Sequence, residues 1–258
     1  MSSMSPLFRL DGRKALITGA SSGLGQHMAR TLALAGAKVH LAARNADKLQ
    51  AVVERLREEG AQAEALALDV QDPASVDAAF AALHAEAGPM DIVVNNAGIT
   101  NTRPLLQQDV GEWDAILSTN LRGAWLVARA AVQAMVAAGR GGAIVNIASI
   151  LGERVAGGVA PYSASKAGLI QLTQSMALEW ARYGVRCNAL LPGYVATDLN
   201  REFLASEAGE KLRQRVPTRR FGEAADLDGP LLLLCSDAGR HMTGAALPVD
   251  GGHLVSSL

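Results

Sequence analysis

Short segments that are apolar at nearly every position alternate along this chain with longer segments whose apolar residues recur every three or four positions. The short segments, which we predict to be strands, are 14–18, 38–43, 64–68, 90–95, 143–147, 185–190 and 245–249. Fully apolar strands indicate a parallel sheet covered by helices on both faces, with right-handed crossovers. The pattern therefore predicts an α/β fold: a single doubly wound, Rossmann-type domain of about seven parallel strands.

Helical periodicity fills most of the intervals between these strands. The predicted helices are 23–35, 47–59, 73–86, 110–138, 161–183 and 223–236. At 258 residues, and with no linker or repeat, the chain fits a single domain, 1–258. The polar stretch at about 194–220 follows the carboxyl end of a strand, and we expect it to form a lid over a substrate pocket.

The composition argues against several classes of partner. The net charge is −1, so we expect no nucleic-acid or membrane-surface partner. No apolar run is long enough to span a bilayer, and the first ten residues lack the apolar core of a signal peptide, which predicts a cytoplasmic protein. Cys187 and Cys235 lie in apolar segments and are expected to be buried thiols. We assign no metal ligands.

A glycine-rich turn, 18–25, joins the first predicted strand to the first predicted helix. Its glycines permit a tight turn and the close approach of a pyrophosphate, which would lie at the helix N-terminus. The spacing is Gly-x3-Gly-x-Gly rather than Gly-x-Gly-x-x-Gly, so the turn alone leaves a purely structural role open. The strand before it and the helix after it favour a dinucleotide site.

The end of the second predicted strand bears on the choice of cofactor. An acidic residue here would bind the ribose 2′-hydroxyl of NAD, but this chain has Ala42-Ala43-Arg44-Asn45. Arg44 could stack on adenine and contact a 2′-phosphate. The residues therefore favour NADP(H), with NAD(H) and a merely solvent-exposed Arg44 as the alternatives.

A tyrosine and a lysine four residues apart, Tyr162 and Lys166, follow Pro161 at the start of a predicted helix. Four-residue spacing places both side chains on one helix face. A nearby ammonium favours the phenolate, so we expect Lys166 to lower the pKa of Tyr162 toward the working range of an acid–base group. Ser149 comes just after the predicted strand 143–147, which would deliver its hydroxyl nearby. An isolated pair of this kind could equally be a solvated helix face.

The chain resembles the classical short-chain dehydrogenases/reductases across essentially its whole length. It is most similar to the bacterial carbonyl reductases that include 3-oxoacyl-carrier-protein reductases and gluconate or polyol dehydrogenases. The motifs that carry the resemblance occur in the family's order: Thr18-Gly-x3-Gly-x-Gly25, Asn95-Asn-Ala-Gly98, Asn120, Ser149, Tyr162-x3-Lys166, Pro192-Gly193 and Val249-Asp-Gly251.

The resemblance implies a dinucleotide-binding and catalytic domain that interconverts ketones and secondary alcohols. Tyr162 would be the general acid or base, and Lys166 would lower its pKa and bind the nicotinamide ribose. Ser149 would hold the substrate oxygen, and Asn120, in the long predicted helix, would position a water in a proton relay. The implied cofactor-binding residues are Gly19, Ser21, Ser22, Gly23, Leu24, Gly25, Arg44, Asn45, Asp69, Val70, Asn96, Ala97, Gly98, Tyr162, Lys166, Pro192, Gly193, Val195 and Thr197.

Two of these residues could serve the fold rather than a ligand. Asp69 could cap the helix that begins at Pro73, and Asn120 could simply satisfy a helix. The predicted pocket is mostly apolar and suits a modest ketone or acyl chain, and Glu153 and Arg154 are expected to be solvated. Its predicted lining residues, besides the 198–215 segment, are Ile150, Leu151, Gly152, Val155, Val159, Tyr194 and Leu199.

Alternatives to the predicted activity are an NAD(H)-dependent polyol or sugar-acid dehydrogenase, a non-catalytic dinucleotide sensor, and a dehydratase or epimerase. The expected partner is a small-molecule ketone or alcohol. The resemblance also predicts a homotetramer, since Trp113, Trp125 and Trp180 lie on the two long predicted helices that family members pair between subunits. Packing of these tryptophans inside the subunit is the alternative.

Overall fold

The computed structural model describes residues 5–197 and 200–256 and contains one seven-stranded sheet. The strands are β1 (Lys14–Thr18), β2 (Lys38–Ala43), β3 (Ala63–Ala67), β4 (Ile92–Asn95), β5 (Gly142–Ile147), β6 (Val185–Pro192) and β7 (Ala246–Val249). They lie in the order β3-β2-β1-β4-β5-β6-β7, and all neighbouring pairs are parallel. The predicted seven-stranded, doubly wound fold is confirmed.

Helices cover both faces of the sheet. They are α1 (Gly23–Leu34), α2 (Ala46–Glu58), α3 (Pro73–Ala87), α4 (Val110–Leu117), α5 (Ala124–Ala137), α6 (Ala160–Trp180), α7 (Arg201–Ala205), α8 (Glu207–Arg213) and α9 (Asp228–Cys235). On one face, α1 and α9 bury Met28 and Leu231 against the sheet; on the other, α3, α5 and α6 bury Leu83, Met135 and Met176. Each such side chain contributes about 1.5–3 kcal/mol by leaving water.

The long helix predicted at 110–138 is wrong as a single regular element. A π-helical segment, Ser118–Gly123, separates α4 from α5. Gly123 lies against Val70, and a Cβ at this glycine would be 2.8 Å from Val70 Cγ2. The tight contact, together with the hydrogen bonds of Asn120 to the Ile99 backbone, favours a local widening of the helix that no sequence periodicity would reveal.

The structure shows the state of the two cysteines, and it also shows whether any described helix could cross a bilayer. Cys187 and Cys235 are free and buried, as predicted. Across residues 5–197 and 200–256, no helix is both long enough and apolar enough to cross a bilayer.

Candidate active site

The strand order reverses between β1 and β4, and a crevice opens there at the carboxyl ends of the strands. Asn96 fixes its two sides to each other, because its Nδ2 donates to the carbonyls of Thr18 (3.0 Å) and Gly19 (3.2 Å). The Thr18 hydroxyl accepts hydrogen bonds from the backbone N–H groups of Asn96 and Ala97, both at 3.1 Å. Thr18 is thus a structural member of the site that sequence reasoning did not single out.

The turn after β1 fits the close approach of a phosphate. Gly19 has φ +65°, and a Cβ there would lie 2.8 Å from Ala97 Cα. A Cβ at Gly25 would be 2.5 Å from Asn96 Nδ2. Ser22 is the N-cap of α1 but makes no capping hydrogen bond through its side chain. The first amide groups of α1, beginning at Gly23, therefore remain available for an anion, as a dinucleotide pyrophosphate requires.

The other residues of the turn lie at the same edge. Ser21 and Leu24 are half-buried, and Ser22 and Gly23 are exposed. All of the cofactor-binding residues predicted in 19–25 therefore lie between β1 and the first turn of α1, and Gly19 and Gly25 among them lie against Asn96.

Two residues at the end of β2 have different roles in the structure. Arg44 is exposed, and its side chain makes no hydrogen bond or ion pair within the described part of the chain. Asn45 is the N-cap of α2, where its side chain accepts a hydrogen bond from the Lys48 N–H (2.9 Å). Arg44 is therefore available to a ligand, whereas the Asn45 side-chain oxygen already has a protein partner.

Asp69 and Val70 follow β3 toward the same crevice. The N-cap of α3 is Asp72, whose side chain accepts from the Ala74 N–H, so the alternative that Asp69 caps this helix is wrong. Asp69 instead accepts a hydrogen bond from the Gln71 N–H (3.0 Å). Val70 is buried against the π-helical segment.

The tyrosine and lysine lie where the four-residue spacing predicts, in the first two turns of α6. Lys166 Nζ is 5.5 Å from the centre of the Tyr162 ring and donates a hydrogen bond to the Ile147 carbonyl (2.7 Å) at the end of β5. Lys166 is buried and Tyr162 is half-buried. The helix therefore presents both groups to the end of the strand that precedes Ser149.

Ser149 lies two residues beyond β5 and is buried. Its Oγ accepts a hydrogen bond from the Leu151 N–H (3.1 Å). A side-chain hydrogen bond with Ser149 also acts to lower the pKa of Tyr162. The three predicted catalytic groups Ser149, Tyr162 and Lys166 therefore lie together.

The pKa values of the pair differ from the expectation. Burial raises the pKa of Tyr162, and the opposing hydrogen bond to Ser149 is the weaker influence. Burial also lowers the pKa of Lys166 to about 8. An ammonium that is itself desolvated and bonded to the Ile147 carbonyl does not produce the predicted lowering of the Tyr162 pKa here.

Asn120 lies in the π-helical segment and connects three elements. Its Oδ1 accepts from the Ile99 N–H (2.8 Å), and its Nδ2 donates to the Ile99 carbonyl (2.9 Å) and Ser165 Oγ (3.0 Å). Ser165 in turn donates to the Tyr162 carbonyl (2.7 Å). Sequence reasoning missed Ser165. Its position between Tyr162 and Lys166, facing inward on α6, was the signal that could have found it.

The polar atoms of Asn120 also border Gly98. A Cβ at Gly98 would lie 3.3 Å from Asn120 Oδ1 and 3.6 Å from Lys166 Nζ. Gly98, the last residue of the Asn95-Asn-Ala-Gly98 motif, is exposed, so this position leaves open space close to Asn120 and Lys166.

The segment after β6 forms the opposite side of the crevice. Pro192 ends β6, and the Gly193 N–H donates to the Val249 carbonyl (3.0 Å). Asn200 holds the following turn, since it donates to the Val195 carbonyl (2.9 Å) and accepts from the Thr197 N–H (2.8 Å). The Thr197 N–H and the Val195 carbonyl are therefore occupied by Asn200, which sequence reasoning missed.

The predicted substrate pocket needs correction. Ile150 is buried in the core and offers no free surface to a substrate, whereas Gly152 is half-buried and a Cβ there would touch Ile170 and the α6 backbone. Val155 is 89% exposed. Leu199 lies outside the described residues. Arg154 is half-buried and hydrogen-bonded to Ser256 rather than solvated.

The buried lysine predicts a pH-dependent stability. Between pH 8 and 10.5 the unfolded chain holds a proton on Lys166 that the folded chain has released, so the unfolding free energy should rise with pH. We expect the unfolding free energy of the wild type, relative to that of Lys166→Met, to increase by about 2 kcal/mol across this interval. Urea unfolding of both proteins at several pH values measures this. A constant difference would contradict the burial of a titrating ammonium.

The chain is similar in sequence to known oxidoreductases. Residues 19–253 match the sequence family described as Enoyl-(Acyl carrier protein) reductase. The chain is 40% identical over 251 residues to gluconate 5-dehydrogenase of Gluconobacter oxydans, covering 97% of this chain and 98% of that one. It is 39% identical over 242 residues to 3-oxoacyl-acyl-carrier-protein reductase of Escherichia coli, covering 94% and 97%.

A solved structure shows the same fold at similar identity. The gluconate 5-dehydrogenase of Burkholderia cenocepacia, crystallised with NADP and tartrate, superimposes with a TM-score of 0.94 at 40% identity, covering 97% of this chain and 98% of that one. Sequence identity over the whole length, together with the shared fold, shows membership of the same family, whereas a shared fold alone would not imply a shared function. The chain therefore belongs to the classical short-chain dehydrogenases/reductases and is an NAD(P)-dependent oxidoreductase of alcohol or ketone substrates.

Proposed function

We propose that this protein interconverts a ketone and a secondary alcohol with NADP(H), and that Tyr162 is the acid/base. The observation that carries the proposal is the convergence of Ser149, Tyr162 and Lys166 beside the crevice at the carboxyl ends of β1, β4 and β5. The intact set favours an active enzyme over a non-catalytic sensor on the same fold.

Each catalytic side chain has a distinct task. In reduction, the Tyr162 hydroxyl donates its proton to the substrate carbonyl oxygen; in oxidation, the phenolate takes the proton back. Ser149 Oγ donates a hydrogen bond to the same oxygen and stabilises its developing negative charge. The nicotinamide cofactor supplies or accepts the hydride. Burial raises the pKa of Tyr162, so the phenol stays protonated near neutral pH, which suits reduction.

Lys166 and Asn120 act on Tyr162 from the α6 side. The Lys166 ammonium is fixed on the Ile147 carbonyl, and we assign it to the ribose of the cofactor and to the proton path behind Tyr162. Asn120 is a positioning residue. Its side chain is fully engaged by Ile99 and Ser165, so it acts by holding the Ile99 loop and α6 in register.

We assign the pyrophosphate of the cofactor to Gly19 and to the first turn of α1, where the glycines leave room and the amides are uncapped. The adenosine would meet Arg44, Asp69 and Val70. The nicotinamide end would meet the segment after Pro192, where 194–220 is proposed to cover the substrate. The direct test is NADPH oxidation with a panel of ketones; the absence of turnover with every ketone would contradict the proposed activity.

NADP(H) is the proposed cofactor because Arg44 is exposed and without a partner among the described residues. Arg44→Asp removes the cation for a 2′-phosphate and supplies a carboxylate for a ribose diol. We expect the ratio of kcat/KM with NADPH to that with NADH to fall at least tenfold, consistent with a loss of about 1.5–3 kcal/mol for a charged hydrogen bond. Arg182→Asp, on an exposed arginine stacked on Tyr183, is the control. An unchanged ratio would favour NAD(H) or no role for Arg44.

A homotetramer is the proposed assembly. Trp125 is 37% exposed with Arg129 stacked on its ring, and Leu106, Val110 and Leu178 are also exposed on or near the helices that the family pairs between subunits. Trp180 instead packs against the subunit core, which is the alternative considered for the tryptophans. Exposed apolar side chains of this size favour coverage by a partner.

Light scattering at micromolar concentration checks the assembly. We expect a mass near four times the 26.9 kDa of the chain, and a smaller mass for the double variant Trp125→Glu, Leu178→Glu, because each places a charge on the face proposed to be covered. A wild-type mass near that of one chain would defeat the proposal.

A further inference from the structure

Arg154 is tied to the C-terminal segment at the edge of the catalytic centre. It follows Ser149 by five residues, and its Nη1 donates to the His253 carbonyl and to Ser256 Oγ, the latter at 2.8 Å. Both bonds use Nη1 alone. A guanidinium carries five N–H donors, and the Nε and Nη2 groups of Arg154 donate to no acceptor in the described ranges.

His253 lies next to this guanidinium with its hydrogen-bonding capacity unused. The residue is only 4% exposed, and its Nδ1 is buried without a partner among the described residues. Its ring packs against Tyr194, with ring centres 5.7 Å apart. Burial, and then the positive charge of Arg154, lower the pKa of His253, so its ring is neutral at pH 7. A buried, unpaired ring nitrogen is costly unless a ligand satisfies it.

A second arginine, Arg215, lies near His253 in the segment before α9. Pro217 and Thr218 pack on Gly252 and Gly251, and the Thr218 N–H donates to the Gly251 carbonyl (3.3 Å). This contact brings the neighbouring Arg215 close enough to act electrostatically on His253. Arg215 is exposed, and no acceptor for its side chain occurs in the part of the chain that the structure describes.

One acidic group, Asp250, also acts on His253. Its carboxylate accepts from the N–H groups of Gly252 (2.8 Å) and Leu254 (2.6 Å), and its negative charge opposes the effect of Arg154 on the pKa of His253. Within residues 5–197 and 200–256, Glu153 is exposed and makes no ion pair with Arg154. Arg154 acts electrostatically on Tyr194, and Tyr194 in turn interacts electrostatically with Tyr162.

We propose that Arg154, Arg215 and His253 form a subsite for a carboxylate carried by the substrate, so that the enzyme acts on hydroxy acids and keto acids in preference to neutral alcohols and ketones. The inference rests on the proposed function, whose substrate class it specifies. The unused Nε and Nη2 of Arg154 form the planar fork that pairs with a carboxylate, and His253, whose carbonyl accepts from Arg154 Nη1, holds that guanidinium in place.

The alternative is that Arg154 merely fastens the C-terminal segment. That role requires its two bonds to His253 and Ser256 but predicts no discrimination between charged and neutral substrates. Arg215 separates the two roles, because it is exposed and fastens nothing in the described part of the chain, so Arg215→Gln should fold normally.

The test compares pairs of substrates in which only one member carries a carboxylate. Wild type, Arg154→Gln, Arg154→Lys and Arg215→Gln are assayed with NADP+ on pairs of a polyhydroxy acid and its matching polyol, such as gluconate and glucitol. The same proteins are assayed with NADPH on pairs of a keto acid and its amide. Arg182→Gln, away from the cluster, is the matched control.

We expect the wild type to prefer the acid in each pair. Arg154→Gln should lower kcat/KM for acids by about tenfold to a hundredfold, the range of a charge-assisted hydrogen bond, and Arg215→Gln by a few-fold. Values for neutral substrates should change less than twofold, and Arg154→Lys should restore part of the loss. Tartrate, a small hydroxy dicarboxylate, should bind the wild type measurably by calorimetry and bind both Gln variants more weakly.

Three results would overturn the subsite. They are a wild type that prefers the neutral member of each pair, an equal loss on both members in the Gln variants, and the same affinity for tartrate in all proteins. The first two would leave the proposed function standing. Loss of turnover on every substrate would contradict the proposed function instead, and tartrate binding would then still report on the subsite.

Discussion

Tyr162→Phe is expected to lower kcat for carbonyl reduction by about 10²–10⁴-fold, the usual contribution of a positioned general acid. The substitution removes one hydroxyl and keeps the ring that lies 5.5 Å from Lys166 Nζ. Because the phenol is proposed to act only on the substrate oxygen, cofactor affinity should remain within about twofold. The expected result is therefore a selective loss of turnover.

Steady-state kinetics and NADPH fluorescence titration measure the two parts of this prediction. Tyr183→Phe is the matched control, since Tyr183 is exposed beyond the end of α6 and lies on the arginine Arg182 rather than at the crevice. Retention of more than about a hundredth of the wild-type kcat would exclude Tyr162 as the acid/base.

Ser149→Ala is expected to lower kcat by about 10²–10³-fold, because one hydrogen-bond donor to the developing oxyanion is lost. The substitution should also shift the pH dependence of kcat for alcohol oxidation. The hydrogen bond with Ser149 lowers the pKa of Tyr162, so its removal allows that pKa to rise further. The pH at which alcohol oxidation becomes efficient, which requires the phenolate, should therefore move upward.

The structure suggests the controls for this variant. Ser149 Oγ also accepts from the Leu151 N–H, so a change in Tm must be measured beside the kinetics. Ser149→Thr keeps the hydroxyl and should recover part of the activity. Ser175→Ala removes a hydroxyl that bonds to the Gln171 carbonyl on α6, away from the crevice, and should change little. Activity of Ser149→Ala within about fivefold of the wild type would refute the assignment.

Local sequence rules account for the scaffold of the site. Seven apolar segments became the seven strands; the five interior strands are buried on both faces, where a strand must be apolar throughout. The four-residue spacing of Tyr162 and Lys166 placed them on one helix face once Pro161 began the helix. The glycines at 19 and 25 lie where the backbones of β1, α1 and the β4 turn approach closely. The strands, the start of the helix and the glycine-rich turn itself depend on residues near one another in the sequence.

Features that depend on distant residues came only from the tertiary structure. The interruption of the helix at Ser118–Gly123 reflects contacts of Gly123 with Val70 and of Asn120 with Ile99, which no helical periodicity contains. The pKa of Tyr162 rises because burial outweighs its partners, and burial is a property of the packed molecule.

Arg154 shows the same division most clearly. In the sequence it is one charged residue beside Glu153, which predicts a solvated pair. In the structure it meets His253, ninety-nine residues away, because β7 returns the C-terminal segment to the carboxyl edge of the sheet. The sequence by itself determined which elements form and which groups could react. The tertiary structure alone decided which distant groups share a site, since a side chain's charge state and partners depend on the surroundings that folding assembles around it.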